Sequence, residues 1–181
     1  MHKIFVGALS APLLVIGTSG MALADNVGGL FGALFGGPTF APMTNERYGA
    51  ECSGCHVAFP PELLPADAWG RVIDTLKNHF GDNASLDPAA TKELRGYLTA
   101  NAGKGNSTKG PHAIAAKTPT SDNPPRITDT DYFHGRHNEI SARFVKANSK
   151  IGSFANCQAC HLDAAEGTYS EEKVIIPKKE G

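Results

Sequence analysis

The chain has 181 residues, and its 17 basic residues nearly balance its 18 acidic residues, which argues against a nucleic-acid surface or a polybasic membrane patch. Four cysteines are too few for a small scaffold held together by disulfides. Glycine and proline contribute 20 and 12 residues, above the share of about 12% that they have together in soluble proteins, and only 8% of the residues are aromatic. We therefore expect a thin protein core, unless something other than protein helps to fill it.

The first 24 residues have the features of an export signal. A short positive start precedes a mostly apolar stretch at 4–16, and Ala22-Leu23-Ala24 has the small-x-small form of a signal-peptidase site. An uncleaved membrane anchor is the alternative, but Pro12 and the glycines after residue 16 interrupt the run before the roughly 20 residues that a span needs. We predict cleavage of a signal peptide at residues 1–24, no stable membrane span afterwards, and a mature protein in the periplasm, which is an oxidising compartment.

The four cysteines form two pairs, and a histidine directly follows each pair. Residues 52–56 read Cys-Ser-Gly-Cys-His, and residues 157–161 read Cys-Gln-Ala-Cys-His. This is the attachment pattern of c-type haem, in which two sulfurs bond to the haem and the histidine becomes an axial iron ligand. The spacing suits a helix, where positions i and i+3 share a face. We predict two covalently bound haem c groups, with the residues Cys52, Cys55, Cys157 and Cys160 attached to haem and His56 and His161 bound to iron.

Paired cysteines also occur in zinc sites and in redox-active pairs. A zinc site would not need the two histidines, and histidine makes up only about 2% of average composition, so finding it after both pairs by chance is on the order of one in a few thousand. A thioredoxin-like redox pair needs a βαβ setting. Helix-forming or loop sequence flanks both pairs instead, so both alternatives are disfavoured.

The composition divides the mature chain into four parts. Residues 25–43 form a Gly-rich lead segment whose Leu and Phe side chains pack on a haem edge or a partner, or else form a mobile arm. Residues 44–101 form the first haem domain. Residues 102–126 are rich in Gly, Pro and Ser with almost nothing to bury, which predicts a linker. Residues 127–181 form the second haem domain.

The hydrophobic periodicity predicts an all-α protein. We expect helices at residues 44–56, 66–79, 88–101 and 131–145, with Asp87 as the N-cap of the third. The second helix carries an apolar stripe of Trp69, Val72, Ile73 and Leu76 that ends at His79, and the fourth carries His137 on a similar stripe. The tail at 174–177 either adds a strand-like segment over the second haem or trails away.

The second axial ligand of each iron decides the chemistry, because a methionine raises the reduction potential and an open position allows catalysis. Met43 is the only methionine left after signal cleavage, so histidine is the better candidate. We assign His79 to the first haem and His137 to the second, with His134 as the fallback for the second. His112, in the predicted linker, is expected to be exposed. Two histidine ligands favour electron transfer at low potential.

Several segments resemble the dihaem cytochrome c (DHC) family, and the resemblance spans about residues 47–177. The resembling segments are residues 51–56, 59–65, Trp69, 79–86, 126–128, 137–140 and 156–161, followed by Gly167 and Ile176-Pro177. The resemblance implies a periplasmic, low-potential electron carrier rather than an enzyme, with two small haem lobes, the first similar to class I cytochrome c, and long loops. It also supports His79 and His137 as distal ligands.

The family resemblance implies a redox partner protein, such as a small oxygen-binding monohaem cytochrome (SHP). The Gly-rich arm and the long linker are not parts of the family pattern. Two alternatives remain open at this point. A haem enzyme of the dihaem peroxidase type would need one iron with a vacant position, and an electron-donating subunit of a larger complex would use the exposed Leu and Phe of the arm.

Overall fold

The computed structural model describes residues 40–104, 112–115, 118 and 123–179, and the side chains at 112 and 113 are outside that description. The predicted signal peptide and most of the lead segment and linker therefore lie outside the described residues. The six described α-helices are Glu46–Cys52 (α1), Ala66–Asp74 (α2), Pro88–Ala100 (α3), His112–Ala115 (α4), Asp131–Arg136 (α5) and Ala142–Ala147 (α6).

Short 3-10 turns lie between these helices at Pro61–Leu63, Leu76–Asn78 and Ile127–Asp129, and others follow α6 at Cys157–Ala159 and Glu171–Lys173. The described part of the chain contains no β-strand, so the prediction of an all-α protein is confirmed. Within that same part, no helix is long and apolar enough to cross a bilayer.

The core of the first half lies between α2 and α3. The two helices contribute the buried side chains Trp69, Val72, Ile73, Leu94 and Leu98. Burial of each such side chain contributes about 1.5–3 kcal/mol. The part of the predicted stripe that lies on α2, Trp69, Val72 and Ile73, is buried as expected. The indole N–H of Trp69 also donates to the Pro61 carbonyl at 2.7 Å, which fixes α2 against the proline loop that precedes it.

The start of α3 follows the sequence prediction. The Asp87 carboxylate accepts hydrogen bonds from the backbone N–H groups of Ala89 and Ala90, at 2.8 and 2.9 Å, and Pro88 is the first helical residue. An aspartate cap satisfies N–H groups that have no partner inside the helix. An ion pair between Arg95 and Asp74 then ties α3 to α2.

The first two predicted helices end earlier than expected. Helix α1 stops at Cys52, because the Ser53 N–H closes the last turn on the Gly49 carbonyl and a bend at Gly54 follows. The first Cys-x-x-Cys-His motif therefore only begins on a helix. Helix α2 stops at Asp74, and a 3-10 turn leads on to His79, which lies at the end of that turn rather than inside a helix.

The predicted helix at 131–145 is wrong as a single element, because it consists of two short helices. Helix α5 begins at a Thr130 cap and ends at Arg136, with His137 as its C-cap. Ser141 then starts α6, since its side chain accepts the Phe144 N–H at 3.2 Å. Serine competes for backbone hydrogen bonds inside helices and favours caps, which accounts for the break.

A second apolar cluster joins the two halves of the chain, and its buried members are Phe40, Leu63 and Ile114. Ile114 comes from the predicted linker and is only 2% exposed, so the expectation that this stretch has almost nothing to bury is wrong at α4. Phe40 comes from the end of the lead segment, and its N–H donates to the Gly167 carbonyl at 2.9 Å.

Candidate functional site

His56 and His79 face each other in the first half of the chain. Their ring centroids are 6.3 Å apart, and the ring planes are inclined by 26°. The Nδ1 atom of His56 lies 2.7 Å from the Val57 carbonyl. A carbonyl only accepts hydrogen bonds, so Nδ1 carries the hydrogen and Nε2 is left free to bind a metal.

A tight turn presents His79. The His79 N–H donates to the Asp82 carbonyl at 2.6 Å, and the Asp82 N–H donates back at 3.2 Å. Phe80 and Gly81 between them have φ values of +57° and +113°. A positive φ is uncommon for a bulky residue such as Phe80. The guanidinium of Arg126 covers its ring at 4.2 Å from the centroid, which helps to stabilise the turn.

His137 and His161 form the corresponding pair in the second half. Their ring centroids are 6.1 Å apart, and the planes are inclined by 72°. The Nδ1 atom of His137 lies 2.9 Å from the Phe133 carbonyl, so its Nε2 is free as well. The Phe133 ring stacks on His137 at 4.0 Å and 13°. These two contacts fix the orientation of the His137 ring.

The spacing of both pairs fits a metal ion held between two imidazoles. Bonds from imidazole nitrogen to a metal are about 2 Å long, so two rings bound from opposite sides have centroids about 6 Å apart. Both observed pairs have this separation. Burial also lowers the pKa of His79, His137 and His161, which favours the neutral imidazole that binds metal.

Each cysteine pair directly precedes one histidine of a facing pair, His56 or His161. Cys52 is the last residue of α1 and Cys55 is exposed beyond it. Cys157 is the first residue of a 3-10 turn and Cys160 is its C-cap, so the expected helix does not hold either motif fully. Burial raises the pKa of Cys52 and of Cys157 to about 11. A thioredoxin-like pair needs a lowered thiol pKa, so this argues against it.

The cysteines do not converge on a zinc site either. Within the described ranges, no group of three or more His, Cys, Asp or Glu side chains could hold a metal ion. A structural zinc site requires four such ligands at tetrahedral geometry. The site geometry is therefore two separate histidine pairs, one in each half.

A cavity of about 670 Å³ lies at the second histidine pair. Its apolar lining includes Phe133, Ile140, Ile151, Phe154, Val174 and Ile176, and His137, Cys157, Cys160 and His161 also line it. Ligand cavities of this size with an apolar lining and a few polar groups suit a large flat cofactor. This lining fits haem, whose macrocycle is apolar.

The C-terminal tail forms one wall of this cavity. The Ile175 N–H donates to the Cys160 carbonyl at 3.0 Å, and the side-chain amide of Asn148 donates to the Pro177 carbonyl at 2.8 Å. The segment is extended without belonging to a sheet. Of the two expectations for the tail, a strand-like segment beside the second site is closer to the structure.

The other ligand candidates lie elsewhere. His134 is exposed on α5, and the side chain of His112 lies outside the described residues. Met43 packs against the first core. The structure thus places His79 and His137, rather than His134, opposite the two motif histidines.

Sequence reasoning missed three aromatic residues around the pairs. Phe59 stacks on His56, Tyr169 packs on His161 and Phe154 packs on His137. Phe59 follows the first motif by three residues, and this proximity was a usable signal. Tyr169 and Phe154 have no local signal, because chain folding alone brings them to the rings.

Comparison with known proteins agrees with this geometry. Residues 48–169 match the dihaem cytochrome c family. The chain is similar to the diheme cytochrome type c from Shewanella baltica OS155, with 41% identity, a TM-score of 0.61, and coverage of 75% of this chain and 94% of that one. It is also similar to a diheme cytochrome c from Rhodobacter sphaeroides, with 36% identity, a TM-score of 0.58, and coverage of 71% and 99%. A comparison with curated protein sequences finds no match.

An all-α chain with two facing histidine pairs, each including the histidine of a Cys-x-x-Cys-His motif, has the architecture of a two-centre c-type cytochrome. The chain belongs to the dihaem cytochrome c family, whose members carry electrons and contain two haem groups. The resemblance noted in the sequence is thereby confirmed.

Proposed function

We propose that the protein is a periplasmic electron carrier with two covalently attached haems, each held between two histidines. The observation that carries this proposal is the spacing of the two histidine pairs, at 6.3 and 6.1 Å between ring centroids. When bound, haem supplies a one-electron centre at its iron. The protein supplies attachment, axial ligands and a dry environment for it.

We assign the residues of each site as follows. In the first site, Cys52 and Cys55 attach the haem, and His56 and His79 are the axial ligands. In the second site, Cys157 and Cys160 attach the haem, and His161 and His137 are the axial ligands. The Nδ1 hydrogen bonds of His56 and His137 keep each Nε2 directed away from the backbone carbonyl that Nδ1 contacts.

Two imidazoles on opposite sides leave no coordination position for peroxide or oxygen. This supports electron transfer over the dihaem peroxidase alternative, which needs one vacant or labile position. Histidine in place of methionine gives a lower potential within cytochromes c, so we propose low potentials at both sites. The assigned role is therefore that of a carrier and not an enzyme.

The proposed location and partner rest on the sequence. Residues 1–24 carry the features of a cleavable export signal, and haem attachment through paired cysteines suits a chain that leaves the cytoplasm. We propose a redox protein as partner, such as a small oxygen-binding monohaem cytochrome (SHP), by resemblance to the family. Contacts between such carriers are small and transient.

Electron paramagnetic resonance of the ferric protein tests the ligand assignment. We expect low-spin signals only, and we expect the His79→Met and His137→Met variants each to change one signal. His134→Met is the matched control, because His134 is an exposed histidine on α5, three residues before His137, and its loss is expected to leave both signals unchanged. A substantial high-spin signal in the wild type, or two unchanged signals in either ligand variant, would contradict the assignment.

Carbon monoxide, added after reduction of the protein, distinguishes an electron carrier from a haem enzyme. A carrier with two histidine ligands at each site is expected to bind it slowly and incompletely. Rapid, full binding at either site would instead favour the peroxidase type of enzyme.

A further inference from the structure

Phe59 contacts both halves of the molecule. Its ring stacks on the His56 ring, with centroids 4.7 Å apart and planes inclined by 29°. It packs against the core of the first half and also against the cluster of Phe40, Leu63 and Ile114. It also lines the cavity of about 670 Å³ that His137 and His161 share. One side chain therefore borders both histidine pairs.

The backbone holds Phe59 firmly in this position. The residues on either side, Ala58 and Pro60, are buried, and a following proline restricts Phe59 to extended conformations. The carbonyl of Phe59 accepts a hydrogen bond of 2.7 Å from the hydroxyl of Tyr48, which is itself 2% exposed. The ring therefore has little freedom to follow a change in either site.

Tyr169 approaches the same region from the second half. Its ring lies 5.4 Å from that of His161 and 5.5 Å from that of Phe40, and it packs against the same cluster as Phe59. Its hydroxyl is buried and has no hydrogen-bond partner among the residues that the structure describes. The two motif histidines, His56 and His161, thus each contact an aromatic ring that packs on one common cluster.

We propose that Phe59 is a positioning residue shared by the two haem sites, holding the His56 ring and closing the cavity of the second site. This inference rests on the proposed function, because it takes His56 and His161 as ligands of two separate haems. Stacking restricts rotation of an axial imidazole, and an apolar wall keeps water out. Both properties influence the reduction potential of a haem iron.

The test replaces the Phe59 ring and follows the two sites separately. Phe59→Leu keeps an apolar side chain but removes the stack on His56. We expect shifts in the low-spin resonances and reduction potentials of both sites, measured by electron paramagnetic resonance and spectroelectrochemical titration. His79→Met and His137→Met identify which resonance belongs to which site.

Two variants serve as matched controls, each beside one site. Phe80 contacts His79, at 4.8 Å between ring centroids, and Phe80→Asn removes that ring while suiting the positive φ. Phe154 contacts His137, at 6.2 Å, and Phe154→Leu removes that ring from the second site. We expect the first control to shift only the first site and the second control to shift only the second.

A shift confined to one site in Phe59→Leu, or no shift at all, would overturn the shared role. If Phe59→Leu does not fold, Phe59→Met gives the same comparison with a more adaptable apolar side chain. Failure of both to fold, with both controls folded, would also overturn it, because Phe59 would then serve folding rather than positioning. These results test only the shared role of Phe59. The proposed function would be contradicted by a different result, a high-spin signal in the wild type.

Discussion

The imidazole rings of His137 and His161 are inclined by 72°, although their centroids are only 6.1 Å apart. The rings of His56 and His79, at 6.3 Å, are inclined by only 26°. Contacts around the rings fix this difference, since Phe133 stacks on His137 at 13° and Phe59 stacks on His56 at 29°. The two histidine pairs thus have similar separations but different mutual orientations.

Two distinct low-spin signals are therefore expected in the electron paramagnetic resonance spectrum of the ferric protein. Crossed imidazole planes leave the two iron orbitals that interact with the rings closer in energy, and this gives the His137/His161 site the more anisotropic signal. Phe133→Leu, which frees the His137 ring, is expected to change that signal alone. Two identical signals in the wild type would contradict the ring orientations.

Gly81→Ala is expected to destabilise the turn that presents His79. The φ of Gly81 is +113°, and an added Cβ would meet no atom within 4 Å, so backbone strain is the only cost. Such strain costs about 1–3 kcal/mol, measurable as a lower midpoint in urea unfolding. Gly96→Ala is the control, because Gly96 lies inside α3 with open space around it and alanine there is expected to stabilise by about 1 kcal/mol. A Gly81→Ala midpoint equal to that of the wild type would refute the turn geometry.

The sequence was sufficient where the signal is local. Asp87-Pro88 predicted the start of α3, and the stripe from Trp69 predicted the buried face of α2, because caps and periodicity act over a few residues. The apposition of His56 and His79 was predicted from the place of His56 in its Cys-x-x-Cys-His motif and from the few other histidines in the chain. The all-α class followed from the hydrophobic periodicity.

The rest depends on contacts between distant residues. Ile114 in the predicted linker is buried because Leu63 and Phe40 meet it, and no periodicity in a stretch rich in Gly, Pro and Ser signals this. The break between α5 and α6 is instead a local effect, because Ser141 acts as a cap rather than as an exposed helical residue. Ring angles at the sites are set by stacking partners that the sequence pattern does not single out.

Gly103→Ala is expected to displace α4 from the proline loop. A Cβ at this position would collide with the Glu62 carbonyl and with the Ala115 side chain, while the Gly103 N–H already donates to the Leu64 carbonyl at 2.9 Å. Overpacking of this kind costs about 1–3 kcal/mol and is expected to speed proteolysis of the segment around α4. Gly135→Ala, where nothing lies within 4 Å, is the control for the glycine replacement itself. Equal cleavage rates in the wild type and Gly103→Ala would show that α4 does not pack there.

The Asp87 cap of α3 is expected to make the stability of the fold depend on pH. Hydrogen bonds from the Ala90 and Ala89 N–H groups lower the pKa of the carboxyl below its usual value of about 3.9. A lowered folded pKa gives stability that is present above the unfolded pKa and lost as pH falls through the folded pKa. Asp87→Asn still caps the helix but does not titrate, so the wild type is expected to lose stability relative to this variant below about pH 4. The measurement compares the melting temperatures of the wild type and Asp87→Asn from pH 6 to pH 3, a range that spans the usual aspartate pKa of about 3.9. A difference between the two proteins that stays constant over this range would contradict a titrating cap.

Loss of the haem attachment points is expected to weaken the fold, because the aromatic-poor chain leaves part of its interior to the cofactor. The cavity of about 670 Å³ at the second site is lined by apolar side chains, which would face water or a void without haem. The double replacements Cys157→Ser with Cys160→Ser, and Cys52→Ser with Cys55→Ser, are therefore each expected to lower the melting temperature followed by circular dichroism. Serine is close to cysteine in size, so packing of the cysteines themselves changes little. An unchanged melting transition in either double variant would show that the protein core suffices without that haem.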